Sequence, residues 1–166
     1  TLAEAVARSL DTKLGIRGIR PIQLFVFDDP CRDDRDWVLS VAHVAVVRLE
    51  QLESLGSGSA QEARLIPVDR PGELAWDHPN IVKRAKEYVR SRYDNMPDPD
   101  RLLDVTFTLR QLQEVHEAVA GQRLDRDRFR RKMSRHIIET GDLSYSGSRG
   151  RPAEVFRRRS ARDRTL

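Results

Sequence analysis

The amino-acid sequence predicts an α+β protein built in two parts. Segments with the three- to four-residue apolar spacing of helices alternate with short apolar runs typical of strands. The parts also differ in charge: residues 1–104 contain 15 Lys/Arg and 18 Asp/Glu, whereas residues 105–166 contain 15 Lys/Arg and 8 Asp/Glu. The turn-forming run D-N-M-P-D-P-D at residues 94–100 predicts a first domain at 1–100, a second at 101–159 and a basic tail at 160–166.

The first part begins with a predicted helix at residues 1–14, whose apolar row Leu2, Val6, Leu10 and Leu14 is followed by a stop at Gly15. We expect strands at residues 22–27 and 37–47, a weak helix or loop at 48–62 and a short strand at 63–68. A last helix follows Asp77 or Asn80 as its cap. Its inward face consists of Ile81, Ala85, Tyr88, Val89 and Arg92.

The second part has the element order of a winged helix-turn-helix. Thr108 and Gln111 have capping-box spacing before an apolar row of Leu109, Leu112, Val115, Ala118 and Val119, and Gly121 fits the left-handed stop. Asp125 is the predicted cap of a second helix at residues 126–136, with Phe129 and Met133 pointing inward. Ile137, Ile138 and Leu143 then predict a strand, Val155 and Phe156 its partner, and residues 146–152 a wing between them.

The second of these helices is strongly basic, which favours DNA as its partner. The candidate DNA-binding residues are Arg126, Arg128, Arg130, Arg131, Lys132, Ser134 and Arg135, with Arg149 and Arg151 on the wing. The alternative is that this is only a solvated helix face, but its charges nearly all share one sign. We expect the tail arginines, from Arg157 onward, to fray and to add contacts to phosphates.

The composition excludes several other classes of protein. Cys31 is the single cysteine, which excludes an internal disulfide and a cysteine-based zinc site. No apolar run is long enough to span a bilayer, and Glu4 and Arg8 interrupt any signal-peptide core. We therefore expect a cytoplasmic protein. The chain lacks an initial Met and opens inside a helix, so we expect an N-terminal portion to precede it.

Several segments resemble a known family. The run R-S-L-D-T-K-L-G-I at residues 8–16 resembles the second half of a Nudix box, R-E-apolar-x-E-E-x-G-apolar. The run D-D-P-C-R-D-D-R at 28–35 is similar to the Gly-Arg-Asp-x-Arg loop of ADP-ribose-type Nudix proteins, and S-V-A-H-V-A-V-V at 40–47 and L-A-W-D-H at 74–78 resemble the segments that follow it. From F-T-L-x-x-L-Q at 107–113 to G-R-P-A at 150–153, the chain resembles the winged helix of the NrtR family of Nudix-related transcriptional regulators.

The resemblance implies a partial Nudix-like α/β/α domain followed by a winged helix-turn-helix domain. It also implies a repressor of NAD-biosynthesis genes that binds a palindromic operator as a homodimer and senses ADP-ribose or a related NAD metabolite, without a cofactor. Ser9, Thr12 and Lys13 stand where the Nudix box has glutamates, so the oxygen ligands for a divalent metal are lost. We therefore expect neither a metal site nor hydrolase activity.

The effector site and the function leave alternatives open. A cationic site of Arg8, Lys13, Arg32 and Arg35 would hold a diphosphate without metal, unless the first two are ordinary surface charges and the other two pair with Asp33 and Asp36. We expect His43 and His78 to be structural, and Trp37 and Trp76 to be core residues. The alternative functions are a Nudix hydrolase, namely an ADP-ribose pyrophosphatase, carrying an accessory winged helix, and a winged helix that binds protein.

Overall fold

The computed structural model describes residues 1–34, 36–52, 65–145, 152–160 and 163. The chain divides into two compact units, Thr1–Tyr88 and Val89–Leu166, which we call the first and the second unit. The predicted domain boundary near residue 100 stays a prediction.

The first unit opens with helix α1, Leu2–Leu14, as the apolar row predicts. Thr1 and Glu4 form a capping box at its start, and Gly15 ends it with φ 68° in the left-handed region. That conformation is available to glycine without a Cβ clash, so the predicted stop is confirmed.

A two-stranded antiparallel sheet follows, made of β1, Ile22–Phe27, and β2, Ser40–Val44, with a bulge between Gln23 and Phe25. The predicted second strand at 37–47 is therefore too long. Trp37 lies outside it because its backbone N–H donates to the Asp36 carboxylate (2.7 Å) and its indole N–H to the Asp28 carbonyl (3.0 Å). These bonds hold Trp37 to the preceding loop and not to the sheet.

The rest of the first unit has little regular structure before its last helix. A short 3₁₀ helix covers Leu49–Leu52. The strand predicted at 63–68 is wrong for residues 65–68, because Arg70 N–H bonds the Pro67 carbonyl in a turn (2.9 Å) and Leu65 is exposed. The glycine–serine run at 56–59 lies outside the described residues.

Helix α2, His78–Asn95, crosses the boundary between the two units. It begins after Asp77, one of the two predicted caps, whose backbone carbonyl accepts from Asn80 N–H and Ile81 N–H. The five residues of the predicted inward face are all partly buried. Tyr93, which that prediction omits, is the buried residue of this helix.

The second unit is a winged helix. Its elements are β3 Thr106–Thr108, α3 Leu109–Ala120, α4 Arg126–Met133, a 3₁₀ turn Ser134–His136, β4 Ile137–Ser144 and β5 Ala153–Arg158. The three strands form an antiparallel sheet in the order β3-β5-β4. The predicted helix at 126–136 is α4 continued by the 3₁₀ turn, so the α-helical part is shorter than expected.

Side-chain caps define both helices of the helix-turn-helix. Thr108 and Gln111 form the predicted capping box, and Gly121 is left-handed with φ 72°. The Asp125 carboxylate accepts the Arg128 backbone N–H at 2.8 Å, as predicted for an N-cap. Thr108 is also the last residue of β3, so the strand passes into α3 without an intervening loop.

The core of the second unit is one cluster of buried apolar side chains. Its members are Phe107, Leu112, Phe129, Met133, Ile137 and Phe156, with Leu103, Leu109 and Leu124 packed against it. Each such side chain contributes about 1.5–3 kcal/mol when fully buried. The inward orientation predicted for Phe129 and Met133 is confirmed. Ala118 is exposed, and His116 occupies the buried position one turn after Leu112 instead.

Candidate nucleic-acid interface

The solvent face of α4 is cationic because its apolar residues point the other way. Phe129 and Met133 are 4% and 1% exposed and anchor the helix to the core. The polar residues on its flanks and outer face are exposed. They are Arg126, Arg128, Arg130, Arg131, Lys132, Ser134 and Arg135. The structure thus brings these predicted residues together on α4 and on the 3₁₀ turn that continues it.

Two of these cations have carboxylate partners from other elements. Arg130 Nη2 lies 3.3 Å from Glu154 Oε2 on β5, and Lys132 Nζ lies 3.3 Å from Asp94 Oδ1 on α2. Both pairs are long and solvent-exposed, and such pairs contribute about 0–1 kcal/mol. An anion of higher charge density would displace these carboxylates at little cost.

The other cations of α4 are less constrained. Within the described part of the chain, the guanidinium groups of Arg126, Arg128 and Arg135 have neither a hydrogen bond nor an ion pair. Arg131 makes one long contact there, 3.4 Å from its Nε to the Asp127 carbonyl. The wing residues Arg149 and Arg151 lie outside the described residues, so their placement stays a prediction.

The prediction that the tail arginines fray is wrong for residues 157–159. Arg157 makes two bonds to the Asp163 carboxylate at 2.9 and 2.8 Å, and these bonds hold the pKa of Asp163 well below its usual range, with help from Ser160. Arg159 N–H bonds the His136 carbonyl at 2.9 Å. Arg162 and Arg164 lie outside the described residues.

Arg158 and Asp98 form a buried connection that the sequence reading missed. The Asp98 carboxylate accepts the backbone N–H groups of Leu102 and Leu103, each at 2.8 Å, and pairs with Arg158 Nη2. Arg158 Nη1 also donates to the Asp104 carbonyl (2.8 Å). This connection fixes the segment before β3 to the end of β5. Its only local signal is the Pro-Asp-Pro turn at residues 97–99, where Asp98 adopts a left-handed φ of 47°.

His116 is a second buried polar group that the sequence did not indicate. Its ring packs edge-to-face against Tyr93 and Phe129, with centroids 5.1 and 5.0 Å apart. The pKa of His116 is lowered to about 4, chiefly by burial, with Lys132 acting in the same direction and Asp98 and Asp94 opposing it. The imidazole is therefore neutral at pH 7.

In the first unit, the Arg32 guanidinium is bonded to the carboxylate of Asp77, which lies outside its loop. Its Nε and Nη2 each lie 2.8 Å from an Asp77 carboxylate oxygen, and the Arg32 side chain is only 7% exposed. The bonds lower the pKa of Asp77 and raise that of Arg32. Arg8 and Lys13 are exposed on α1 and lie about 140° apart around the helix axis. Arg35 lies outside the described residues.

The histidines and tryptophans of the first unit take mixed positions. His43 Nδ1 lies 3.0 Å from the Val41 carbonyl, and His78 packs edge-to-face with Trp76 at 5.6 Å. The prediction that Trp37 and Trp76 are core residues is wrong, because they are 67% and 56% exposed. The Trp37 indole N–H donates to a loop carbonyl, and no layer of the described unit covers either ring.

The described residues contain neither a metal-binding cluster nor a membrane-spanning helix. No group of three or more His, Cys, Asp or Glu side chains there is placed to hold a metal ion. No helix in the same residues combines the length and the apolarity that crossing a membrane requires.

Two short α-helices, a three-stranded antiparallel sheet and the basic face of the second helix define the second unit as a winged helix domain of the DNA-binding class. Residues 100–158 match the model of the NrtR DNA-binding winged helix domain. The resemblance of this part of the sequence to the NrtR winged helix is thereby confirmed.

Individual relatives agree with this assignment. The chain is 26% identical over 154 residues to the ADPR responsive transcriptional repressor NtrR of Acinetobacter baylyi. The aligned residues make up 90% of this chain but only 60% of that relative. It is 26% identical to the crystal structure of Shewanella oneidensis NrtR complexed with a 27mer DNA, with a TM-score of 0.71 over 96% of this chain and 73% of that one.

A third likeness concerns the fold alone. A MutT/nudix family protein from Enterococcus faecalis is 18% identical, with a TM-score of 0.62 over 96% of this chain and 70% of that one. The predicted fold class, a Nudix-like part followed by a winged helix, is thus confirmed.

Proposed function

We propose that the protein is a DNA-binding transcriptional repressor that reads an operator with helix α4. The observation that carries the proposal is the exposed cationic face of α4, within a domain that matches the NrtR winged helix. The solved Shewanella relative is complexed with DNA, which supports the same partner here. Phosphate contacts from such a face supply affinity, and base contacts supply sequence specificity.

In this proposal α4 enters the major groove. Arg126, Arg130, Arg131 and Ser134 contact base edges and nearby phosphates, and arginine is the usual partner of guanine O6 and N7. Lys132 and Arg135 hold the flanking backbone, while the wing contacts phosphate or the adjacent minor groove through Arg149 and Arg151. A homodimer on a palindromic operator places two such helices one duplex turn apart, roughly 34–36 Å.

The first unit is proposed to sense ADP-ribose or a related NAD metabolite and to control NAD-biosynthesis genes. The Acinetobacter relative is named as ADPR responsive, which supports this effector. Arg8, Lys13, Arg32 and Arg35 are the proposed diphosphate contacts. Arg32 would bind through its Nη1, for which the described residues provide a long 3.4 Å contact to the Val38 carbonyl, since Asp77 takes Nε and Nη2. We propose no hydrolysis, because Ser9, Thr12 and Lys13 replace the metal-binding glutamates.

The test is DNA binding by fluorescence anisotropy, using a palindromic duplex selected in vitro by the full-length protein. If the dimer neutralises about 6–10 phosphates, affinity should fall by on the order of 10³-fold from low to moderate salt. Arg126→Gln and Arg135→Gln should each reduce the salt slope by about two, one for each protomer of the dimer. Arg123→Gln is the matched control, because this arginine is equally exposed but lies before α4 and pairs with Glu117. Equal effects from all three variants would overturn the assignment of α4.

Effector binding and hydrolysis are tested on the same protein. Calorimetry with ADP-ribose, NAD and ATP, with and without the selected duplex, should show one ligand whose affinity changes when DNA is bound, because coupling between sites is reciprocal. Magnesium-dependent cleavage of ADP-ribose would contradict the proposed lack of hydrolysis and favour the hydrolase alternative.

A further inference from the structure

The second unit contains an open cleft of about 760 Å³ on the flank of α4. Its walls are the end of α2, the end of α3 with the turn that follows, and one side of α4. The volume lies within the range of small-molecule sites in proteins, roughly 300–1,000 Å³. Its lining residues among the described part of the chain all belong to the second unit.

The floor of the cleft is aromatic. Tyr93, His116 and Phe129 line it, and their rings pack edge-to-face in sequence at 5.1 and 5.0 Å. Each of these residues is only 3–4% exposed, so the cleft reaches the rings at their edges, where a further aromatic group can pack. Met133, which is 1% exposed, closes the same end of the cleft.

The floor also contains an unsatisfied polar atom. His116 is 4% exposed, and its Nε2 has no hydrogen-bond partner among the residues that the structure describes. Most buried polar groups in proteins are bonded, so an unpartnered one at a cleft points to a missing polar contact. A ligand that carries a polar group beside its ring would provide that contact.

The rim of the cleft is mainly cationic. It includes Arg90, Arg123, Arg128 and Lys132, against the carboxylates of Asp94 and Asp125. Asp125 already caps α4 through the Arg128 backbone N–H, and Asp94 is held loosely by Lys132 at 3.3 Å. The Arg128 guanidinium has no partner among the described residues. This arrangement attracts an anion and not a cation.

We propose that this cleft is a binding site for a planar aromatic molecule that carries one anionic group, with the ring on the Tyr93–His116–Phe129 floor and the anion at Arg128. The site is separate from the effector site proposed for the first unit. Arg128 and Lys132 belong to both the cleft rim and the cationic face of α4, so an occupied cleft competes with a duplex. This competition rests on the proposed DNA binding, whereas the binding of the aromatic anion does not.

Binding is measured by nuclear magnetic resonance on the full chain, with phenyl phosphate as the probe. The His116 ring protons should shift with a saturable isotherm. Phenol lacks the anion and cyclohexyl phosphate lacks the aromatic ring, so each should bind about tenfold more weakly. No saturable shift at His116, or equal binding of either comparison compound, overturns the proposal.

Two variants on one helix separate occupancy of the cleft from a general effect on α3. Ala120 lines the cleft, whereas Ala118 is exposed on the same helix and does not line it. Ala120→Leu should fill part of the cleft and weaken phenyl phosphate about tenfold, while Ala118→Leu should leave it unchanged. Equal behaviour of the two variants overturns the proposal even if both fold.

The competition is measured with the selected duplex at constant ionic strength. Phenyl phosphate should weaken DNA binding with an inhibition constant equal to its own dissociation constant, and Ala120→Leu should abolish this inhibition. A chain that binds no DNA would refute the proposed function. The binding of phenyl phosphate would still be decided by the resonance titration alone. A chain that binds DNA equally well with the cleft occupied would refute the competition.

Discussion

The two units differ in how much apolar side chain each one buries within itself. The second unit has a contiguous core of six buried residues around Leu112, which is 0% exposed. Among the described residues of the first unit, only Ile16 and Ala42 are buried apolar residues. Most of the exposed large apolar side chains also belong to the first unit, including Trp37, Leu39 and Trp76. The second unit is therefore stabilised by its own core to an extent that the described first unit is not.

The difference shows when apolar pattern is a reliable guide. In the second unit, every apolar residue predicted to point inward from α4 does so, because α3 and the sheet cover that face. In the first unit, the apolar residues of the predicted strand at 63–68 and the two tryptophans are exposed where they are described. An apolar pattern shows which face of an element is suited to burial. Whether that face is buried depends on the other elements that pack against it.

The largest expected effect compares one leucine from each unit. Leu112→Ala should lower the free energy of unfolding of the second unit by about 4 kcal/mol, because it empties a fully buried site. Leu39→Ala is the matched control and should cost less than about 0.5 kcal/mol, since Leu39 is exposed. Native-state hydrogen exchange of β5 amides for the first variant and of β2 amides for the second measures both values. Equal losses of unfolding free energy in the two variants would contradict the difference in burial between the two units.

The next effect concerns the buried ion pair of the second unit. Asp98→Ala should cost about 3 kcal/mol, because it leaves Arg158 partly buried without its carboxylate and releases two backbone N–H groups. Glu114→Ala is the control, since its pair with Arg110 is exposed and is worth at most about 0.5 kcal/mol. Both are measured by exchange of β5 amides. A small effect for Asp98 would show that the connection to β5 is dispensable.

A pH dependence should distinguish the second unit from the first. Folding lowers the pKa of His116 from 6.5 to about 4, so the unfolded chain binds the proton first. Above pH 6.5 neither state is protonated and stability is complete. Between pH 6.5 and about 4 the free energy of unfolding should fall by on the order of 2–3 kcal/mol, and below that range this loss stops growing.

His116→Phe isolates this titration from those of the carboxylates. The variant keeps an aromatic ring and cannot be protonated, so the difference between the two stability curves belongs to His116. Chemical denaturation across pH 4–7 provides both curves. Parallel curves would show that the buried histidine does not titrate differently in the folded state.

The smallest expected effect concerns DNA affinity and one exposed arginine from each unit. Arg131→Ala should weaken binding to the selected duplex by about 1–3 kcal/mol if its side chain contacts a base. Arg8→Ala changes the same residue type on an exposed helix of the first unit and should leave affinity unchanged. Fluorescence anisotropy measures both. An unaffected Arg131→Ala variant would remove that residue from the interface.

The sequence was sufficient for features that depend on neighbours in the chain. The capping box of Thr108, the stop at Gly121 and the cap at Asp125 each involve residues within four positions of one another, and all three are confirmed. The Asp98–Arg158 pair spans 60 residues, and the burial of His116 depends on three separate helices. No local pattern contains either one. Likewise, the sequence predicts the cationic character of α4. It does not predict the carboxylates that face Arg130 and Lys132, because these come from β5 and α2.

Because Thr108 is the last residue of β3 and also the N-cap of α3, the strand fixes the rotation of the helix about its axis. One extra residue at this point would turn α3 by about 100° and advance it by about 1.5 Å. Leu112 would then face solvent, and no slack exists in a connecting loop to absorb the turn. At this junction, therefore, the number of residues between the strand and the helix is fixed.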